Sequence, residues 1–295
     1  MSLGNFVLGT NRFRLGNEVD QGDQSVVYEV TEYETGKKYA AKVGKEGYNK
    51  EIEQKLTIRE IEILSQISHP AIIKLRGFSL SDFDSHPFPV LFTELMPNGS
   101  LRKILDLSKT QTIEGWNNTR KQIVVLGIAS ALEYLHSLHI MHRNINPMNV
   151  FLDENFYPHI GGFHLSKIYD PKNPNGQTLF RGKRGYIAPE VLTEAFYDWR
   201  VDIYSYAIVI HEILSGEIPF TNSGNSTALS FSSKLQPAFL DLIKRCTSAD
   251  PADRPSFTEI VRYLCSDESY YLPGIDRNEY ARYEYEMLTF GRKTN

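Results

Sequence analysis

The sequence predicts an α+β protein built as two lobes, a small strand-rich lobe followed by a larger helical lobe. In the first third of the chain, short runs rich in Val, Tyr and Ala flank polar turns, which is typical of strands. After Gly99, apolar residues recur at the three- to four-residue spacing of amphipathic helices. The length of 295 residues suits one bilobal domain or about two domains.

The first lobe is predicted from runs that turns and loops separate. Its strands are expected at 26–30, 38–43, 72–75 and 90–93. The polar turn 34–36 between the first two strands indicates an antiparallel hairpin. A helix is predicted over 51–67, where apolar residues recur, and Pro70 stops the pattern because proline cannot continue a helix.

The second lobe is predicted to be helical, with a hinge near residues 94–99. Helices are expected over 101–107, 118–139, 201–215, 237–246 and 257–264. We therefore divide the chain into lobes at 13–96 and 97–265 and a Tyr-rich tail at 266–295. A short helix over 278–289 is expected in this tail, which either packs back on the helical lobe or offers aromatic anchors for docking. A ligand site is expected in the cleft between the lobes.

Composition and charge exclude several functions. Lys plus Arg number 32 and Asp plus Glu number 36, so the formal net charge is −4. This balance argues against nucleic acid or an anionic membrane as a partner. Two cysteines are too few for a disulfide framework. No apolar stretch approaches the ~18 residues of a membrane span, and no signal peptide is evident, so a cytoplasmic location is expected.

Short motifs then follow one another in a characteristic order. Ala40-Ala41-Lys42 precedes His142-Arg143, which precedes Ala188-Pro189-Glu190 and Asp202. From about residue 15 to residue 265, this series resembles the eukaryotic protein kinase domain, in its Ser/Thr, tyrosine-kinase-like branch. One motif is a weak signal, but the ordered series is specific. The resemblance implies a bilobal kinase fold, with a small antiparallel β-sheet and one helix in the N-lobe and a larger α-helical C-lobe.

The resemblance also implies a nucleotide pocket. Lys42 stands where the family's lysine holds ATP phosphates, and Glu60 stands where a helix glutamate pairs with that lysine. Asn149 matches the asparagine that binds a second Mg²⁺. The implied nucleotide-binding set is Gly22, Val27, Ala40, Lys42, Glu60, Thr93, Glu94, Met96, Asn149 and Phe151.

Positions that hold the family's lobes together are retained. Asp202 matches the aspartate that braces the catalytic loop, and Arg254 would form a buried ion pair with Glu190. The apolar column that links the lobes in this family would consist of Leu64, Leu75, His142 and Phe163.

The departures from the family's pattern fall on positions that carry catalysis and metal binding. The family's His-Arg-Asp ends here in Asn144, which has no useful basicity, and a general base contributes about 10²–10⁴ in rate. Asn146 replaces the loop lysine. The family's Asp-Phe-Gly is here Gly162-Phe163-His164, so its main Mg²⁺ ligand is absent. In the glycine-rich loop only Gly22 remains, and Asp20 and Asp23 add negative charge.

This pattern predicts a pseudokinase that is not an enzyme, acting as a scaffold or allosteric signalling partner. No catalytic residue would be intact at Asn144, Asn146 and Gly162, no metal would bind, and no cofactor would be required, with Mg²⁺-independent ATP as the option. Two alternatives stay open, a nucleotide-binding switch and an atypical low-activity Ser/Thr kinase using ATP. The expected partners are proteins, including a kinase or a kinase substrate. Phosphorylation of Tyr169, Thr178 or the tail is left undecided.

Overall fold

The computed structural model describes residues 3–22, 25–45, 50–172, 182–193, 197–219 and 229–291. Asp23 and Thr178, singled out above, lie outside the described residues. Buried side chains form one small cluster in the N-lobe, where Phe13 stacks on Phe92, and one large cluster that fills the C-lobe and reaches the helix of the N-lobe. The predicted bilobal α+β kinase-like fold is confirmed.

The N-lobe is a five-stranded antiparallel sheet with one helix. Its elements are β1 (Phe13–Gln21), β2 (Ser25–Glu32), β3 (Lys38–Gly44), α1 (Lys50–Leu64), β4 (Leu75–Ser79) and β5 (Val90–Glu94), in the sheet order β1-β2-β3-β5-β4. The hairpin over β2 and β3 and the helix α1 agree with the prediction. The strand predicted at 72–75 is wrong, because the strand begins only at Leu75. The long strand β1 was not predicted.

The C-lobe is helical with two small strand pairs. Its helices are α2 (Leu101–Leu107), α3 (Asn118–Ser137), α4 (Pro189–Leu192), α5 (Arg200–Ser215), α6 (Pro237–Cys246), α7 (Phe257–Ser266) and α8 (Arg277–Thr289). Strand β6 (Ile140–Met141) pairs with β9 (Lys167–Ile168), and β7 (Val150–Leu152) pairs with β8 (Pro158–Ile160). Among the described residues, no helix has the length and apolarity needed to cross a membrane.

Local sequence sets where these helices begin. The Asn117 side chain accepts a hydrogen bond from the backbone of Arg120 and so caps α3. Ser256 and Glu259 form a reciprocal capping box at the start of α7. Gly216 ends α5 in the left-handed conformation that glycine favours. The long helices α3 and α5 are almost wholly buried, so they form the frame on which the cleft is built.

The Tyr-rich tail packs on the C-lobe. Helix α8 lies against α3 and buries Tyr280, Tyr283 and Met287. Before it, the Leu272 amide donates to the Gln122 side chain at 3.1 Å, deep within the lobe. The tail is therefore an integral part of the lobe core.

Residues ahead of β1 also pack on the sheet. The Leu8 amide donates to the Phe78 carbonyl at 2.7 Å, and Val7 forms a parallel bridge with the same residue. Gly77 allows this approach, because a Cβ there would lie 2.6 Å from the Phe6 carbonyl oxygen. We call residues 3–12 the N-terminal strap.

Candidate active site

The central feature of the cleft is an ion pair between the sheet and the helix of the N-lobe. Lys42 on β3 and Glu60 on the buried face of α1 meet with Nζ and Oε2 2.7 Å apart. The second carboxylate oxygen of Glu60 accepts a hydrogen bond from the Phe163 amide at 2.9 Å. Burial raises the pKa of Glu60, but the charge of Lys42, together with the hydrogen bonds from Lys42 and the Phe163 amide, holds this pKa below its ordinary value. The helix is thus locked against the cleft in its inward position.

An apolar column runs through both lobes behind this pair. Its members Leu64, Leu75, His142 and Phe163 are all buried. The Phe163 ring meets the His142 imidazole edge to face, with centroids 4.7 Å apart. The predicted column is therefore assembled.

Asp202 on α5 braces the loop that carries the chemistry. Its carboxylate accepts hydrogen bonds from the backbone amides of His142 at 2.8 Å and Arg143 at 2.7 Å. The pKa of this fully buried carboxyl is raised by burial but lowered overall by the hydrogen bond and charge of His136. Arg143 adopts a positive φ of 63°, which the two amide bonds help to hold.

Three amides occupy the floor of the cleft. Asn146 Nδ2 donates to the Asn144 carbonyl at 2.9 Å and to Asn144 Oδ1 at 3.1 Å. Asn149 Nδ2 donates to the same Asn144 carbonyl at 2.8 Å. The amides therefore satisfy one another, and they supply no carboxylate at the position of the family's base.

Gly162 and His164 complete the floor. Gly162 is left-handed, with φ 78°, and an added Cβ would overlap the Asn149 amide. His164 directs Nε2 toward Asn144 Nδ2 at 3.4 Å and Nδ1 toward Glu60 Oε2 at 4.0 Å. Burial, reinforced by the charge of Lys42, lowers the pKa of His164 to about 4. The imidazole is therefore neutral at pH 7.

These donors do not fit the two Mg²⁺ ions that kinases use. Within the described ranges, no three His, Cys, Asp or Glu side chains cluster in a way that could hold a metal ion. Mg²⁺ in phosphate sites is bound through one or two carboxylates, and the cleft floor offers amides and an imidazole instead.

The residues proposed for the adenine side line one region of the sheet. Ala40 pairs with Thr93 across β3 and β5, and Val27 pairs with Lys42 across β2 and β3. Phe151 lies on β7 of the C-lobe, with its ring beside Gly161. Their role in binding stays a prediction.

The remaining predicted positions lie at the rim. Gly22 forms the turn after β1, where its amide donates to the Ser25 carbonyl at 2.9 Å. The Glu94 carboxylate accepts a hydrogen bond from the Lys74 amide at 2.8 Å. Met96 packs against the core of the C-lobe. The backbone of residues 94–96 is thereby placed between the lobes.

Sequence reasoning missed one buried hydrogen-bond network in the C-lobe. Glu212 on α5 accepts hydrogen bonds from Tyr186 Oη and from Arg102, both at 2.6 Å. The available signal was the acid itself, since Glu212 stands within an otherwise apolar helix. Nearby, Arg254 forms the predicted bidentate pair with Glu190, at 2.6 and 2.9 Å.

A two-lobed fold with a closed lysine–glutamate pair in its cleft defines a kinase-type domain. Residues 13–264 match the family described as protein kinase domain, and the chain belongs to that family. It is similar to a probable serine/threonine-protein kinase of Dictyostelium discoideum, with 31% identity over 78% of this chain and 14% of that protein. It is also similar to an LRR receptor-like serine/threonine-protein kinase of Oryza sativa subsp. japonica, with 31% identity over 84% of this chain and 27% of the relative.

Serine/threonine-protein kinase 12 of Arabidopsis thaliana is 30% identical over 70% of this chain and 46% of that protein. The chain therefore spans less than half of the length of each of these relatives. Members of this family bind ATP, typically with Mg²⁺. Assignment to the tyrosine-kinase-like branch stays a prediction.

The prediction that the chain is not an enzyme is contradicted. The relatives are named as serine/threonine protein kinases, which are enzymes. The chain belongs to the kinase family with its replacements at Asn144, Asn146 and Gly162 in place.

Proposed function

We propose that this chain is an ATP-binding Ser/Thr protein kinase domain that transfers phosphate slowly and depends little on Mg²⁺ for nucleotide binding. The observation that carries this proposal is the Lys42–Glu60 pair, closed at 2.7 Å with the Phe163 amide on the same carboxylate. Lys42 supplies the positive charge that a triphosphate needs. The absence of carboxylates at residues 144 and 162 slows transfer but leaves this binding geometry in place.

The chain's own residues account for a reduced rate. The Asn144 amide can orient a substrate hydroxyl by a hydrogen bond, and it cannot take the proton at neutral pH. Loss of a base alone costs about 10²–10⁴ in rate, which leaves a slow enzyme. Without a carboxylate at Gly162, phosphate charge is offset mainly by Lys42, so added Mg²⁺ should change nucleotide affinity little.

The test measures nucleotide binding and transfer separately. Thermal denaturation with millimolar ATP, with and without Mg²⁺, should show a similar upward shift in both conditions. The shift should vanish in Lys42→Met and persist in Lys37→Met, whose lysine lies on the exposed turn between β2 and β3. Labelled phosphate should reach a generic Ser/Thr substrate above the level of Lys42→Met. Absence of any shift with ATP would refute the proposal.

A second function, that of an allosteric partner for another protein, is favoured by the lobe-bracing bonds. Asp202, Glu190 and Arg254 brace the interior of the C-lobe through contacts that involve no nucleotide group. In this role the C-lobe binds a protein partner, including a kinase or a kinase substrate. In cells lacking the protein, complementation by Lys42→Met would support this role, and failure of that variant at normal abundance would refute it.

We also propose a cytoplasmic location, on the sequence features given above. Fractionation of cells that express the tagged full-length protein tests it. Recovery in the membrane or nuclear fraction would contradict it.

A further inference from the structure

A cavity of about 590 Å³ lies in the C-lobe, apart from the cleft between the lobes. Its walls come from the second half of α3, the start of α7, the end of α8, the segments next to β9 and α5, and His69 ahead of β4. The nucleotide-binding residues named above are not among the described residues that line it. Pockets of roughly 300–1,000 Å³ between helices are typical sites for small ligands. We call this space the α3 cavity.

Aromatic rings form much of the wall of the α3 cavity. Tyr134 stacks on His69 with centroids 5.2 Å apart, and Phe290 meets these two rings edge to face at 5.8 and 4.9 Å. His136 meets Trp199 edge to face at 5.4 Å. The faces of aromatic rings carry negative electrostatic potential, so such a wall attracts cations as well as apolar groups.

One acid of this wall lacks a partner. Glu133 on α3 lines the cavity and is half-buried. Its carboxylate forms no hydrogen bond or ion pair with any residue that the structure describes. Burial raises the pKa of the Cys265 thiol, and the charges of Glu284 and Glu133 raise it further, so two acids lie close together here. A half-buried carboxylate without a cation is a favourable partner for a positively charged ligand.

The positive charge next to the cavity is already balanced. Arg200 lies over the Trp199 ring at 4.8 Å from its centroid, and Asp198 pairs with that guanidinium at 2.5 Å. His69 accepts a hydrogen bond from the Ala71 amide at Nδ1, and burial lowers its pKa to about 4, so its ring is neutral at pH 7. Neither Lys nor Arg occurs among the described lining residues. The cavity therefore has an acid that a ligand can neutralise.

The helix ends at the cavity favour the same sign of charge in a ligand. Helix α3 ends here at Ser137, and the last carbonyls of a helix carry partial negative charge. Helix α7 begins here, but the capping box of Ser256 and Glu259 already places a carboxylate at that end. His136 Nε2 lies 3.0 Å from Asp202 Oδ2, so a positive charge on this ring is paired as well.

We propose that the α3 cavity binds a small organic cation with an apolar body, such as an arylalkylamine, with its ammonium group on Glu133 and its apolar part against the aromatic rings. An anion of the same shape is repelled by the carboxylate, and a neutral molecule gains only the apolar contact. The cavity lies outside the nucleotide cleft, so the proposal does not rest on the kinase activity proposed above. The competing explanation is a water-filled gap between helices, in which no ligand binding would saturate.

The experiment titrates the full-length protein with benzylamine, benzyl alcohol and benzoate at constant ionic strength and neutral pH. These three probes share a ring and differ mainly in charge. Trp199 lines the cavity, so its fluorescence reports binding. The only other tryptophan, Trp116, lies beyond the far end of α3, ~30 Å away along the helix, and is removed as Trp116→Phe. Benzylamine should bind about tenfold more tightly than benzyl alcohol, because it adds a charged hydrogen bond, and benzoate should bind most weakly.

Two variants test the assigned partner. Glu133→Gln should abolish the preference for benzylamine and leave the affinity for benzyl alcohol unchanged. Glu154→Gln, on the exposed turn between β7 and β8, is the matched control and should keep the preference. Thr258→Lys, at an exposed position of the same wall, supplies a cation from the protein and should also abolish the preference. Thermal denaturation of each variant should show an unchanged Tm, since none of these side chains is buried.

Several results would overturn the proposal. Benzyl alcohol or benzoate bound as tightly as benzylamine would contradict recognition of a cation, and no saturable change with any of the three probes would leave the cavity a water-filled gap. A tenfold preference that survives in Glu133→Gln would remove Glu133 as the partner. Should Glu133→Gln fail to fold, Thr258→Lys decides, and a preference retained in that variant would refute the site.

Discussion

Two buried tyrosines of α8 should respond in opposite ways to removal of their hydroxyl groups, because only one of the two hydroxyls is hydrogen-bonded. Tyr283 is 4% exposed, and its hydroxyl has no hydrogen-bond partner among the described residues. It lies over Gly127 of α3, where an added Cβ would overlap it. Leaving a buried hydroxyl unpaired costs about 1–3 kcal/mol. Tyr283→Phe removes that group and should therefore stabilise the protein.

The magnitude follows from what is lost and gained. Tyr283→Phe forfeits the packing of one oxygen, so we expect a net gain of ~1 kcal/mol and a rise in Tm of ~2 °C. Tyr280, three residues earlier on the same helix, is the matched control. Its hydroxyl donates to the Leu264 carbonyl at 3.2 Å. Tyr280→Phe should lose ~1 kcal/mol, because a hydrogen bond disappears and a buried carbonyl is left unpaired.

Equilibrium unfolding in urea, followed by circular dichroism, measures both variants under one set of conditions. The expected result is a midpoint above wild type for Tyr283→Phe and below it for Tyr280→Phe, with similar slopes. A midpoint for Tyr283→Phe as low as that of Tyr280→Phe would refute the reasoning, since it would mean that the Tyr283 hydroxyl is hydrogen-bonded.

Three further outcomes follow from the described contacts. Arg254→Met should cost ~3–5 kcal/mol in urea unfolding, because the Glu190 carboxylate loses its partner; a loss below 1 kcal/mol would contradict a buried pair. Gly162→Asp should lower the free energy of unfolding by ~1–2 kcal/mol, because its backbone is left-handed and the new side chain meets Asn149; stabilisation would contradict this. Burial lowers the pKa of His69 to about 4. Its unfolded value is about 6.5, so the unfolded chain takes up the proton first and stability should fall from pH 6.5 toward 4. His69→Gln should flatten this fall, and an unchanged slope would count against it.

Side-chain contacts could be predicted from the sequence where both partners belong to motifs of the family. Lys42 and Glu60 could be paired in advance, because the family series fixes which strand faces which helix. The helix predicted over 278–289 agrees with α8, because its apolar residues keep the spacing of one face. Long-range packing was less accessible. Residues 72–75 have strand-like composition, yet the Ile73 amide donates to the Ile160 carbonyl in an isolated bridge, so the apolar run is used to join the lobes.

The position of His164 shows where such reasoning ends. The sequence shows it in place of the glycine of the family's Asp-Phe-Gly, and nothing local indicates where its ring points. Its contacts, Glu60 and Asn144, lie about 104 and 20 residues away in the chain, so they depend on how α1, the catalytic loop and the segment after Gly162 come together. Local propensity carries no information about such distant side-chain geometry.

The N-terminal strap should be retained when the protein is shortened, because it covers an edge of the N-lobe sheet. Strand β4 is an outer strand of the five-stranded sheet, and its free edge would offer backbone groups to another chain. The strap covers part of that edge through Val7 and Leu8. A protein trimmed to the family limits, 13–264, would lose both the strap and helix α8, baring a sheet edge and an apolar face of α3 together. The matched family limits therefore leave out two segments that cover backbone and apolar surface, and self-association is the expected behaviour of the trimmed protein.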